Sequence, residues 1–203
     1  PHRLHEGGHA GLRRADAANL LEVDGQQEEP AEIRRPRPER HQVGGPEEAL
    51  AKGDFARAEA RGRELVEEGK RVFPADHGNL ATSYSILGSA LFKQGKYPEA
   101  EAQFRLALGI FEKRSGPESL PVASALNNLA YTYANRADYK RALSTALQAL
   151  KQAPNDSNIL DTVGEMYQKN KMYPQAVTYF KKAIDQQGNG GIPETHFKYG
   201  QTL

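Results

Sequence analysis

The stretch YSILGSALFKQGKYPEAEAQFRLAL, Tyr84–Leu108, decides the fold. Its apolar residues Tyr84, Leu87 and Leu91, then Ala100, Phe104, Ala107 and Leu108, recur at the three-and-four spacing of a helix face. Between the two runs stands a break, Gly95-Lys96-Tyr97-Pro98. Pro98 suits the first turn of a helix, where its missing N–H has no intrahelical partner. The two antiparallel helices approach closely only where a side chain is nearly absent, so Gly88 is expected to face Ala100.

The hairpin recurs. Ala58, Ala100, Ala142 and Ala176 each follow an aromatic (Phe55, Tyr97, Tyr139, Tyr173) by three positions, at intervals of 42, 42 and 34 residues. A period in this range signals stacked helical hairpins. Gly88, Ala130 and Gly164 stand twelve positions before the last three alanines, pairing Ala130 with Ala142 and Gly164 with Ala176. Phe104 and Phe180 are expected to fill the space between units, with Ala146 the smaller middle case. Tyr97, Tyr139 and Tyr173 are expected to cover the apolar underside of each turn. Helices are predicted over 55–72, 79–94, 98–114, 121–135, 139–153, 157–170, 174–187 and 193–203, and no strand pattern competes.

Composition divides the 203 residues in two. Residues 1–45 hold no Phe, Tyr or Trp, and their cations other than His are all Arg; too little apolar area offsets ordering entropy, so a disordered or foreign tail is expected. His2, His5 and His9 could meet on a metal, but no frame or carboxylate second shell holds them, and they read as solvated. The net charge of +1 gives no argument for nucleic acid or a membrane surface. Without cysteine there are no disulfides, thiolate metal sites or cysteine nucleophile. No apolar run approaches a membrane span. No phosphate loop, nucleophile elbow or paired-carboxylate motif occurs, and Gly188-Asn189-Gly190-Gly191 reads as a helix stop because no strand precedes it. The expectation is a non-enzyme without cofactor. Arg57, Arg61, Arg63, Lys70 and Arg71, interleaved with Glu59, Glu64, Glu67 and Glu68, read as a solvated helix face.

The pattern Tyr84…Leu87-Gly88…Leu91…Ala100…Phe104…Ala107 resembles the tetratricopeptide repeat (TPR), and Leu160…Val163-Gly164…Tyr167…Ala176…Phe180…Ala183 resembles it again. The middle unit, Leu126…Leu129-Ala130…Tyr133…Ala142…Ala146…Ala149…Pro154, follows the same pattern. His196…Tyr199-Gly200…Leu203 looks like the first half of another unit. The 42-residue spacing and the string Phe111–Glu118 are similar to the kinesin-light-chain subtype. The resemblance implies an all-α fold, a right-handed α-solenoid of stacked antiparallel hairpins behind a disordered N-terminal tail. The division is 1–45 tail and 46–203 repeat domain. Within the latter lie a partial unit 46–77, in which Gly62 departs from the expected large residue, units at about 81–120, 123–156 and 157–190, and a truncated unit 193–203.

In this family the first helix of each unit lines the concave side, where ligands bind. Carried over, that implies Thr82, Ser85, Ser89, Phe92 and Lys93 from the first complete unit. The second supplies Ser124, Asn127, Asn128, Tyr131, Ala134 and Asn135; the third supplies Asn158, Asp161, Thr162, Glu165, Gln168 and Lys169. An Asn amide offers donors and acceptors to an extended peptide backbone, and Tyr131 adds a flat amphipathic anchor. Relatives that hold acidic chaperone tails clamp a carboxylate with Lys, Arg and Asn. The third unit here has no Arg and only Lys169 nearby, so a neutral or mildly basic peptide is expected instead. The function implied is a protein–protein interaction scaffold; alternatives are the regulatory repeat segment of a larger enzyme, or a self-assembling module joined through uncapped repeat ends. A cytoplasmic location is favoured, with export open if a signal was lost with the N-terminus.

Overall fold

A computed structural model of the chain describes residues 45–116, 118–187 and 193–202. The 1–44 part of the expected tail, its three histidines and the Gly188–Gly191 connection lie outside the described residues.

Each element begins where a local signal starts it. Helix α1 (Pro46–Ala51) opens on proline, and α2 (Phe55–Val72) is capped by Asp54, whose carboxylate accepts from Arg57 N. Helix α3 (Gly78–Lys93) is capped by the His77 ring, which accepts from Asn79 N and stacks on Phe73 at 4.3 Å, so His77 is structural. Helices α4 (Tyr97–Ser115) and α5 (Leu120–Asn135) carry proline in the first turn. Asp138 caps α6 (Tyr139–Gln152), and Asp156 caps α7 (Ser157–Lys169) through Asn158 N and Ile159 N. Helices α8 (Tyr173–Gln187) and α9 (Pro193–Thr202) complete the described chain. The hairpin turns share one backbone solution: Gly53, Gly95, Ala137 and Lys171 occupy equivalent positions, all with φ between 61° and 77°. Glycine adopts this left-handed conformation freely; alanine and lysine are strained there.

Successive helices pack on one another, and α1, α3, α5, α7 and α9 also touch in turn, whereas no two of α2, α4, α6 and α8 are in contact. The odd-numbered helices therefore crowd one side, and the stack bends around them. The architecture is all-helical among the described residues, a right-handed α-solenoid with the odd helices on its inner wall.

Packing rests on matched sizes. The four alanines at 58, 100, 142 and 176 are each 0% exposed, as the repeat argument requires. The glycine recess holds a different partner from the one expected. A Cβ at Gly88 would lie 2.7 Å from Phe104 Cε1, and one at Gly164 would lie 2.6 Å from Phe180 Cδ1. The rings thus sit inside each hairpin on the glycine, rather than between units. In the middle hairpin the same register pairs Ala130 with Ala146, both fully buried. Gly62 also has a reason: Leu87 seats on it, and a Cβ there would come within 3.1 Å of Leu87 Cα. Two hairpin turns depart from expectation, since Tyr139 and Tyr173 are exposed rather than tucked beneath them.

Candidate partner-binding wall

The inner wall is built from one face of α3, α5, α7 and α9. Repeat register aligns Ser85, Asn127, Asp161 and Phe197 in one row, and Ser89, Tyr131, Glu165 and Gln201 in the next. On α3, Thr82 is exposed and donates to Gly78 O at 3.2 Å, while Ser89 donates to Ser85 O at 3.0 Å. Ser85 is half-buried; Phe92 packs partly against the core and meets the Tyr97 ring edge-on at 5.5 Å; Lys93 is exposed.

Helix α5 carries no charged residue at all. Ser124 and Asn135 are exposed, and Asn127 and Asn128 are half-buried. Asn127 Oδ1 is buried with no donor among the described residues. Asn135 donates to Tyr131 O at 2.9 Å and accepts from the Tyr97 hydroxyl at 3.3 Å, joining wall to turn. Tyr131 packs against the core, and its hydroxyl is hydrogen-bonded to Thr162 Oγ1 at 3.2 Å. Burial first, and then the Glu165 charge, raise the Tyr131 phenol above its ordinary value. Ala134 and Thr162 belong to the interior, at 5% and 1% exposure, because they face the neighbouring helices; they do not line the wall.

On α7 the residues are largely committed to α9. Asn158 and Lys169 are exposed, and Lys169 lies 3.6 Å from Glu165. Asp161 is buried, and its Oδ2 accepts from Lys198 Nζ at 2.8 Å; Glu165 Oε2 lies 3.0 Å from the same nitrogen. Gln168 Nε2 donates to Thr202 Oγ1 at 2.8 Å. Burial works against the Lys198 charge, but hydrogen bonds and attraction from Asp161 and Glu165 outweigh it and hold the ammonium well above the ordinary lysine range. Sequence reasoning placed Asp161, Glu165 and Gln168 on this wall but missed their partners, because nothing local links residues more than thirty positions apart.

A second polar system, also unread from sequence, holds each hairpin to the one before. Gln94 Nε2 donates to Phe55 O at 3.1 Å and to Glu59 Oε2 at 2.7 Å, and Asn170 Nδ2 donates to Tyr139 O at 2.9 Å. Glu59, expected on a solvated face, is 5% exposed, pairing with Arg63 on its own helix and with Lys96 Nζ at 2.7 Å. The Lys96 hydrogen bond is the main cause that holds the Glu59 carboxyl below its ordinary value; burial opposes it, and Gln94 and Arg63 add to it. Glu101 repeats the arrangement, buried against Arg136 and 2.7 Å from Arg105. The other expected pairs stand at the surface, Arg61 with Glu64 and Lys70 with Glu67, as the interleaved charges imply.

No group of His, Asp and Glu among the described residues is arranged to hold a metal, and no described helix is long and apolar enough to cross a membrane. Stacked hairpins with an inner wall of polar side chains define an interaction scaffold. The tetratricopeptide repeat family model matches residues 49–113 and 79–155, and the chain belongs to that family. No curated protein matches the sequence. Among solved structures it is similar to BtubC (BKLC) from P. vanneervenii, with 22% identity and a TM-score of 0.65 over 77% of this chain and 68% of that one. It is similar also to a kinesin light chain of nearly identical TPR-like repeats from Podosopora anserina. There identity is 15% and the TM-score 0.64, over 77% and 81% of the two chains. The Sgt2 TPR domain from Aspergillus fumigatus shares 22% identity with a TM-score of 0.54 over 60% and 76%. At these identities the likeness is one of fold.

Proposed function

We propose that the inner wall binds an extended, neutral or mildly basic peptide segment of a protein partner, with α5 as its centre. One observation carries this reading: Asn127 Oδ1 is buried on an uncharged helix face without a donor among the described residues. Buried acceptors left unmet are costly, and a turn of the half-buried Asn127 amide towards a peptide laid along α5 would bring Oδ1 to a peptide N–H. Asn128 and the exposed Ser124 and Asn135 offer further backbone contacts, and stacked helices present them with little ordering cost to the receptor. The kinesin-light-chain-like subtype is part of this proposal, supported by the 42-residue spacing of the first three units. So is the division into a partial unit at 46–77, units at about 81–120, 123–156 and 157–190, and a truncated unit at 193–203. The reading assigns no catalysis, no cofactor and no nucleic-acid partner. Self-association through the repeat ends is a second reading, favoured by Phe197, which stands 64% exposed on α9.

The test is selection of a random peptide library on the full chain, followed by affinity measurement on the enriched peptides. Asn127→Ala/Asn128→Ala is expected to weaken them by about tenfold or more, in line with the penalty for orphaned hydrogen-bonding groups. Glu112→Ala/Lys113→Ala, exposed on α4, is expected to leave them unchanged. Enriched peptides indifferent to the asparagine pair would remove the wall from the binding site. Sedimentation across a concentration series separates the self-association reading.

A further inference from the structure

Asp161 and Glu165 stand one helical turn apart on the inner face of α7 and are the carboxylates gripping Lys198. The equivalent rungs above, Ser85 with Ser89 and Asn127 with Tyr131, carry no charge and call for no cation. Asp161 is 8% exposed, and while Oδ2 is bonded to Lys198, Oδ1 is buried with no donor among the described residues. A lysine ammonium meets a carboxylate at one point; a guanidinium presents two parallel N–H groups and meets both oxygens. The site is therefore filled by a cation, yet incompletely matched to it.

Helix α9 is also held in a way that permits exchange. Its buried side chains among the described residues are Thr195 and Thr202, both polar, while Phe197, in the inner-wall row, stands exposed. What ties it to α7 is the Lys198 pair and the Gln168–Thr202 hydrogen bond. Helix α9 packs mainly on α8, so its polar contacts to α7 can part locally while the helix keeps its place. From this juxtaposition we infer that Asp161 and Glu165 form a subsite for an arginine side chain of the bound peptide, and that Lys198 occupies it in cis until an arginine replaces it. The inference deepens the peptide-binding reading of the wall and rests on it for its biological sense. Its chemistry is testable without any partner.

The probe is N-acetyl-arginine amide, titrated into the full chain and followed by amide NMR shifts in α7, with N-acetyl-lysine amide and N-acetyl-citrulline amide alongside. Lys198→Ala is expected to bind the arginine probe at least about fivefold more tightly than the wild-type chain, and more tightly than the lysine probe, because an unpaired buried carboxylate seeks a partner. Citrulline, which has the shape without the charge, is expected to give no response. Asp161→Asn in the Lys198→Ala background is expected to lose about tenfold or more. Equal affinity of wild type and Lys198→Ala, or indifference to Asp161→Asn, overturns the subsite. Should Lys198→Ala fail to fold, Lys198→Arg decides: hydrogen exchange in α9 is expected to slow as the second oxygen is met, and unchanged exchange refutes the guanidinium preference. Library peptides indifferent to Asn127→Ala/Asn128→Ala with the arginine response intact defeat the wall reading alone, and peptides lost on that pair with no arginine response defeat the subsite alone.

Discussion

Consider a single methyl group added at Gly164. It would lie 2.6 Å and 2.7 Å from Phe180 Cδ1 and Cε1, where ordinary contact begins at 3.4 Å, and Phe180 is 0% exposed with nowhere to turn. Overfilling of this kind costs about 1–3 kcal/mol. Alanine in a helix interior is favoured over glycine by roughly 1 kcal/mol. The net expectation for Gly164→Ala is a loss of up to about 2 kcal/mol. Phe180→Ala alone should cost about 3–5 kcal/mol through the lost ring and its cavity. Once the ring is gone the clash is gone with it, and Gly164→Ala in the Phe180→Ala background should stabilise by roughly 0.5–1 kcal/mol. The same substitution thus changes sign with its neighbour, and the double variant approaches the Ala130–Ala146 seam already present in the middle hairpin. Urea titration by circular dichroism reads the four free energies. Because each repeat contacts only its neighbours, amide exchange in α7 and α8 localises the effect. An equal, same-signed effect of Gly164→Ala in both backgrounds would refute the reasoning.

Gly62→Ala, pressing on Leu87 Cα at 3.1 Å, should destabilise by about 1–2 kcal/mol. Gly109→Ala, with open space around it, should be neutral or gain up to about 1 kcal/mol; thermal midpoints of the two variants check the contrast. Ala137→Gly relieves a left-handed residue at φ 61° and should stabilise by about 1 kcal/mol, measured by urea titration. For pH, the Glu59 carboxyl lies below its ordinary 4.5 in the folded chain, so the unfolded chain binds the proton more readily. Its contribution is complete above that value and is lost as pH falls through the folded one; an acid titration of Glu59→Gln should be less steep below pH 4.5 than that of the wild-type chain.

Periodicity carried the fold because hairpin stacking is written locally: an aromatic, an alanine three residues on, a break with glycine or aspartate. Helix limits such as 55–72 and 139–153 therefore lie within a residue of α2 and α6. Helix α1 is six residues long, too short for any face to repeat, and went unseen except as chain that follows Pro46. Glycine and phenylalanine were both singled out, but not as each other's partners, because sixteen positions of separation across a turn leave helix register undetermined by a turn or so. The inner wall was legible as a face. Its occupancy was not: Asp161 reads alike whether it awaits a peptide or already holds Lys198, since charge pairing between residues 37 apart has no local trace. Glu59 failed for the same reason, its Arg63 partner at i+4 concealing the second partner, Lys96, on the next hairpin.

The seams of this stack are keyed individually, Gly to Phe in the α3/α4 and α7/α8 hairpins and Ala to Ala in the α5/α6 hairpin between them. A second helix moved from one hairpin to another would arrive with the wrong key: Phe104 would meet the methyl of Ala130, and Ala146 would leave the hollow at Gly88 empty. A whole hairpin, whose two halves carry matching keys, can therefore be exchanged where a cut between the halves would leave a clash or a void.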